Sequence, residues 1–317
     1  MDFENEIKEK LNTKRFERQR GSSSGCISSG YVYECDDNVV VFVKFNEDSI
    51  SRVMFDGEFY SLSALLSTNT VRVPKPHFVH TDCNSSQSAI VMEYIAHLHS
   101  LSSHQRTLGN QLAALHFHNA KLGKQEMKNE NWLGKGREQA YVSQFGFDYV
   151  TCCGKYPMKN EWMSDWISFF SRVRLEDKIN SLLEIHTDRE LNELWSQLQL
   201  VIPRFFKDLN EKPIIPALLH GDLWAGNAGE TNDGPVIYDP SSFYGHSEFD
   251  LAIAKMFGGF RREFFDAYHS VIKKDPYFDH RSDLYQLFHY LNHWHHFGTG
   301  YRSQSLNLMK KCCKTSI

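Results

Sequence analysis

Three residues in the second half of the chain have the types and spacing that phosphoryl transfer requires. Asp222 is followed by Asn227 and then, across the short β-type run Val236-Ile237-Tyr238, by Asp239. One carboxylate can take the proton of an attacking hydroxyl. An amide oxygen and a second carboxylate can hold Mg2+ against the phosphates. A tight hairpin between two short strands would bring all three to one point. Asp and Asn are also ordinary turn residues, so this spacing alone is weak. Upstream context strengthens it. Val41-Phe42-Val43-Lys44 is a β-branched run ending in a lysine that could contact phosphates, and Glu58 follows where a carboxylate could orient that lysine. Singly, Lys44 reads as a surface strand lysine and Glu58 as an acid favoured by a helix N-terminus. In this order and together with Asp222, Asn227 and Asp239, the phosphoryl-transfer reading is the stronger.

The elements that must carry these residues can be read from turn signals and periodicity. Residues 2–12 predict a short amphipathic helix. Gly21 to Gly30 predicts a Gly/Ser loop able to fold over phosphates, although its glycines do not follow G-x-G-x-x-G. Tyr31–Cys35 and Val39–Phe45 read as a hairpin about the turn Asp36-Asp37-Asn38. Asp56 is placed to cap a helix through Glu58, Phe59, Leu62, Leu65 and Leu66. A polar loop, 80–88, precedes a strand at 89–92. The remainder reads as mainly helical, and strands followed by helices predict an α+β, two-lobed body. Gly21-Ser22-Ser23-Ser24-Gly25 fits G-x-S-x-G, but Lys14–Arg20 does not read as the buried strand a nucleophile elbow needs. No Walker-type G-x-x-x-x-G-K-[ST] occurs.

Composition excludes other classes. Of 317 residues, 41% are hydrophobic and 23% charged, which is globular composition. The formal charge of −4 offers no basic footprint for nucleic acid. The seven cysteines include no CxxC pair and read as neither a zinc spacing nor a disulfide framework. An acidic start and short apolar runs predict a soluble protein of a reducing compartment, the cytosol, with no membrane span. His289, His293, His295 and His296 cluster in sequence, but no H-E-x-x-H is present. An aromatic core or a cleft lining is the preferred reading there.

His220-Gly221-Asp222-Leu223-Trp224-Ala225-Gly226-Asn227 resembles the catalytic motif of the fructosamine/ketosamine-3-kinases, within the aminoglycoside-phosphotransferase and choline-kinase-like superfamily. Gly25-Cys26-Ile27-Ser28, Met54-Phe55-Asp56-Gly57-Glu58, Asp239-Pro240-Ser241-Ser242-Phe243-Tyr244-Gly245-His246-Ser247-Glu248 and Leu291-Asn292-His293-Trp294 carry the same resemblance, which spans residues 20–305. It implies a protein-kinase-like fold, with residues 1–94 as a β-rich nucleotide lobe and 95–317 as a helical lobe. Met92-Glu93-Tyr94 would then be the adenine-binding hinge, and Gly25, Cys26, Ile27 and Ser28 part of the phosphate loop. Lys44 and Glu58 would serve ATP, Asn227 and Asp239 would hold Mg2+, and Asp222 would be the catalytic base. The implied reaction is transfer from ATP to the 3-hydroxyl of a ribulosamine, with fructosamine as a further substrate, on glycated proteins or small ketoamines. His220 would brace the loop.

On the substrate side, Trp224 reads either as a ring stacking on the sugar or amine or as a core tryptophan. His293 and Trp294 are further cleft candidates. The resemblance also implies a redox-sensitive Cys26, and hence a monomer or a redox-dependent homodimer. Competing readings are another small-molecule kinase of the superfamily and a nucleotide-binding pseudokinase.

Overall fold

In the computed structural model, residues 3–24, 28–82, 86–129, 140–209, 213–315 and 317 are described. A short helix, α1 (Phe3–Lys10), leads into β1 (Phe16–Ser24), β2 (Ser29–Cys35) and β3 (Val40–Asn46). Helix α2 (Ser51–Ser67), β4 (Pro76–Thr81) and β5 (Ser88–Glu93) follow. These strands form an antiparallel sheet in the order β1-β2-β3-β5-β4. Successive strand side chains point to opposite faces, and that alternation sorts the sheet. Val41 and Val43 pack with Phe3 and Ile7 of α1, whereas Phe42 packs with the core containing Phe55, Leu62 and Leu65 of α2. Lys44 shares the parity of Phe42, so the same pleat aims it at α2.

Beyond the sheet come β6 (His99–Ser100), α3 (Gln105–Asn129), β7 (Thr151–Cys153) and β8 (Tyr156–Met158). Helix α4 (Trp166–Ser168) continues through a π-helical stretch, Phe169–Glu176, into α5 (Asp177–His186), and α6 (Arg189–Val201) follows. Four short strands, β9 (Ala217–Leu218), β10 (Ala228–Thr231), β11 (Gly234–Ile237) and β12 (Tyr244–Gly245), surround the 220–240 segment. Helices α7 (Glu248–Ala254), α8 (Arg262–Val271), α9 (Phe278–Phe297) and α10 (Arg302–Lys314) close the chain. The aromatic excess is concentrated here: Trp166, Phe169, Phe170, Phe205, Phe206, Phe243, Phe249, Tyr285 and Phe288 share one core. Within it Trp166 Nε1 donates to the Tyr285 hydroxyl (2.9 Å), which lies 2.7 Å from His246 Nδ1. No helix among the described residues is long and apolar enough to cross a membrane.

Several local expectations are corrected. Asp56 does not cap α2, and Glu58 does not open it; the helix begins at Ser51 and both residues lie in its interior. Gly57 suggested a boundary because glycine is a poor helix former, but packing overrides propensity. A Cβ on Gly57 would lie 2.5 Å from the Val150 carbonyl oxygen, so only glycine lets α2 approach β7. The Gly/Ser loop is shorter than 21–30, because Gly21–Ser24 continues β1 and Ser29-Gly30 begins β2. Residues 16–20 are therefore part of a strand after all, but Glu17, Arg18 and Gln19 are exposed, the strand lies at the sheet edge, and the next element is β2, so the nucleophile elbow still fails. The 80–88 loop also shrinks, since His80-Thr81 and Ser88 belong to β4 and β5. The second half is helical but not purely so, because short antiparallel strands hold the 220–240 segment.

Gly57→Ala tests the close approach. Helix propensity alone would favour alanine by roughly 1 kcal/mol; the Val150 contact predicts net destabilisation, read as a lower urea midpoint.

Candidate active site

Lys44, near the end of β3, points across the sheet face to α2. Its Nζ lies 2.6 Å from Glu58 Oε1 and 2.5 Å from Asp239 Oδ1. Burial works against the ammonium, but the attraction of Asp239 and then Glu58 outweighs it and holds the lysine above its ordinary range. Asp239 follows β11 with φ 57°. A left-handed backbone is costly for a residue with a side chain and concentrates at functional positions. It is held on both sides: Tyr238 N donates to Asn227 O at 3.0 Å, and Ser241 N to His220 O at 2.9 Å.

The 220–227 segment is fastened from beneath. Asp250 on α7, wholly buried, accepts from His220 N (2.7 Å) and Gly221 N (2.8 Å) and sits 3.1 Å from His116 Nε2. Although burial opposes it, His116 and these donors hold the Asp250 carboxyl below its usual range. His220 Nδ1 accepts from Asp222 N (3.3 Å) while Nε2 meets Tyr238 O (3.0 Å), which fixes the neutral Nε2–H tautomer. Burial pushes the imidazole pKa down, consistent with that neutral form. His220 is thus a brace, as expected. Gly221 (φ +86°) passes so close to the Ser241 carbonyl that a Cβ would lie 2.0 Å from its oxygen.

Asp222 is brought beside Asn227, whose Nδ2 donates to Asp222 O (2.9 Å) and Oδ2 (3.3 Å). Burial pushes the Asp222 carboxyl up to about 7; hydrogen bonds from Cys153 and Asn227 pull the other way, and the charges of Asp239 and Asp250 add to the rise. Because Asn227 commits its nitrogen to Asp222, its Oδ1 is turned away and accepts no described hydrogen bond. Asp239 is half exposed, with Oδ1 on Lys44. An amide oxygen and a carboxylate form a hard-oxygen donor set, which fits Mg2+.

The remaining expected site residues divide. Met92 and Glu93 end β5, two strand pairs along from Lys44 (Lys44↔Ile90, Phe42↔Met92). Met92 is buried and Tyr94 exposed, and Glu93 is tied to Lys75 by two hydrogen bonds. Ser28 accepts from Asn46 Nδ2 at 3.3 Å. Gly25, Cys26 and Ile27 lie outside the described residues. Trp224 is not a core residue. It is 39% exposed, and its ring covers Gly226, where a Cβ would lie 2.2 Å from it. Phe257 stands edge-on to Trp224 (6.4 Å) and continues to His293 (4.9 Å), so Trp224 and His293 lie on one aromatic strip beside Asp222. Trp294 is a correction: with 0% exposure it belongs to the helical core and cannot meet a substrate from the cleft. One residue along a helix turns the side chain through about 100°, enough to separate it from His293. Sequence reasoning missed Asp250, His116 and Cys153. Phe249-Asp250 directly follows the segment read as a motif, but no local signal shows that the loop needs a buried acceptor.

The fructosamine kinase family model matches residues 1–315. The chain is 51% identical over 311 residues to ketosamine-3-kinase of Mus musculus, covering 97% of this chain and 99% of the relative. It is 36% identical over 286 residues to the chloroplastic protein-ribulosamine 3-kinase of Arabidopsis thaliana, covering 90% and 79%. A solved structure of a candidate fructosamine-3-kinase from Thermobifida fusca superimposes with a TM-score of 0.78 at 23% identity, covering 99% of both chains. That likeness places the fold, a two-lobed protein-kinase-like architecture. With the family model spanning almost every residue, this chain is a member of the fructosamine kinase family.

Proposed function

We propose that the protein is an ATP-dependent ketosamine-3-kinase that phosphorylates the 3-hydroxyl of ribulosamines, and of fructosamines where accepted, on protein amines or small ketoamines. The observation that carries this reading is the convergence of five residues read from sequence: Lys44 Nζ between Glu58 and Asp239, and Asn227 bonded to Asp222. Residues 1–94 serve the nucleotide, with Met92-Glu93-Tyr94 at the adenine and the Gly25–Ser28 loop over the phosphates. Residues 95–317 hold the acceptor. The relatives named for ketosamine and protein-ribulosamine support the acceptor class.

Asp222 takes the proton of the 3-hydroxyl, and its raised pKa makes it a better base than an ordinary aspartate. Lys44, steered by Glu58, draws the phosphates into line. Asn227 Oδ1 and the free oxygen of Asp239 would hold Mg2+, which neutralises charge developing on the transferred group. The Asp250 anchor keeps the loop rigid, so most of the acceleration is positioning and charge complementarity. Trp224 offers a flat apolar face to the sugar or its amine, with His293 behind Phe257. The product then falls apart by its own chemistry. Enolisation toward C1 makes the 3-phosphate an allylic leaving group; its loss leaves a conjugated imine at C1, and water hydrolyses that imine to a dicarbonyl and the free amine, so the biological outcome is deglycation. The setting is the cytosol, where the cysteines stay reduced. Cys26 would be the redox-responsive position, making the protein a monomer or an oxidation-linked homodimer.

Incubation with Mg2+ and ATP and, separately, a ribulosamine and a fructosamine tests the reading. Phosphorylation of the ribulosamine at its 3-hydroxyl is expected; nucleotide binding with turnover of neither would overturn it. Asp222→Asn should lower kcat by about 10²–10⁴-fold while nucleotide affinity is kept, measured by turnover and nucleotide titration. The pH profile of kcat/KM should rise through about 7, because only ionised Asp222 accepts the proton. The same shift has a stability sign. A carboxyl whose folded pKa is raised from 3.8 to about 7 loses native stability as pH climbs through that window. Asp222→Asn should therefore melt above the wild type near pH 8, with the difference shrinking as the pH is lowered toward 4.

A further inference from the structure

Asp222 has neighbours on its buried side that phosphoryl transfer does not use. Cys153 Sγ, an Asp222 carboxylate oxygen and a His289 ring nitrogen lie within 4.8 Å of one another. They come from three elements: the end of β7, the 220–227 loop and the middle of α9. His289 is 0% exposed, and neither of its ring nitrogens has a hydrogen-bond partner among the described residues. Buried polar groups are nearly always paired, and each one left alone costs about 1–3 kcal/mol. Burial also keeps this imidazole neutral, so a lone pair is available for a cation. Asn292 Nδ2 approaches Cys153 Sγ at 3.2 Å, a donor that would support a thiolate, as outer-shell groups do around bound metals.

A thiol, an imidazole and a carboxylate suit a borderline-soft cation such as Zn2+, whereas Mg2+ prefers the oxygen pair of Asn227 and Asp239. Zinc bond lengths of ~2.0–2.3 Å require the three ligand atoms to draw together by about an ångström, within reach of side-chain rotation. We propose that Cys153, His289 and Asp222 form a three-ligand site for Zn2+ or a similar soft divalent cation, and that filling it takes Asp222 from the acceptor hydroxyl and stops phosphoryl transfer. On binding, the Cys153 S–H bond breaks and its proton passes to solvent. A metal–sulfur bond forms and no electrons are transferred. The half-buried Asp222 leaves the fourth position open toward the cleft, for a water that occupies the place of the acceptor hydroxyl. The site itself stands independently of the proposed reaction; only the inhibition rests on Asp222 being its base.

Binding is therefore measured apart from turnover. The full chain, reduced and held in Mg2+, is titrated with Cd2+ while the ultraviolet thiolate-to-metal band is followed, and with Zn2+ in competition with a chromophoric chelator. One equivalent of each is expected to bind. Cys153→Ser should abolish the cadmium band, and Cys153→Ser and His289→Gln should each weaken zinc by about 10–100-fold. Cys152→Ser should keep both signals, and circular dichroism checks that each variant is folded. Absence of binding to the wild type, a band that survives Cys153→Ser, or one lost in Cys152→Ser would overturn the site. In the turnover arm, Zn2+ should inhibit in competition with the ketoamine and not with ATP, and a chelator should reverse it. Tight binding without inhibition would overturn the shut-off.

Discussion

One ammonium group ties the two halves of this chain together. Lys44 Nζ lies between Glu58 on α2 and Asp239, 195 residues further along, with little solvent to screen it. A charge in that position is tolerated only while its partners are present, because an uncompensated buried ion costs several kcal/mol. The geometry it enforces is specific. Strand β3 must present the even-numbered face, α2 must lie close enough for Glu58 to reach, and the turn after β11 must adopt its left-handed backbone. Gly57, which lets α2 settle against Val150, and the hydrogen bonds around Asp239 serve the same constraint.

A second buried charge holds the other side of the site. Asp250 receives two successive backbone N–H groups and faces His116. It makes the 220–227 loop part of the helical core rather than a surface turn. The contrast between Asp250 and Asp222 shows how environment divides the work of one residue type. Asp250 is surrounded by donors and held ionised. Asp222 has fewer donors and other carboxylates nearby, and is pushed toward the neutral range where proton transfer is efficient. The stability lost by ionising a buried carboxylate is the cost of that arrangement.

The aromatic residues serve two separate purposes. Most fill the core of the helical half, where the Tyr285 hydroxyl accepts the Trp166 N–H and also meets His246. A smaller set, Trp224, Phe257 and His293, forms a strip beside Asp222 that leaves Trp224 and Phe257 open to solvent. Glycines set its shape: Gly226 lies under the Trp224 ring, and Gly259 lets the following loop pass Ala225.

The residue types and order Lys44, Glu58, Asp222, Asn227 and Asp239 were legible in the sequence, because the chemistry of phosphoryl transfer restricts them and each lies in a recognisable local pattern. So were the β2–β3 hairpin and the helical character of the second half, since periodicity is a local property. The sequence did not show that α2 begins at Ser51, that Trp294 is buried while Trp224 is exposed, or that Asp250, His116, Cys153 and His289 gather around the 220–227 loop. Those outcomes depend on which surfaces meet. Gly57 looks like a boundary until Val150 packs on it, and a carboxylate becomes an anchor only when a distant backbone presents two N–H groups to it. Local pattern thus determined the chemistry this chain carries. Burial and contacts between residues far apart in sequence, which set desolvation and hydrogen bonding, decided how each group is tuned.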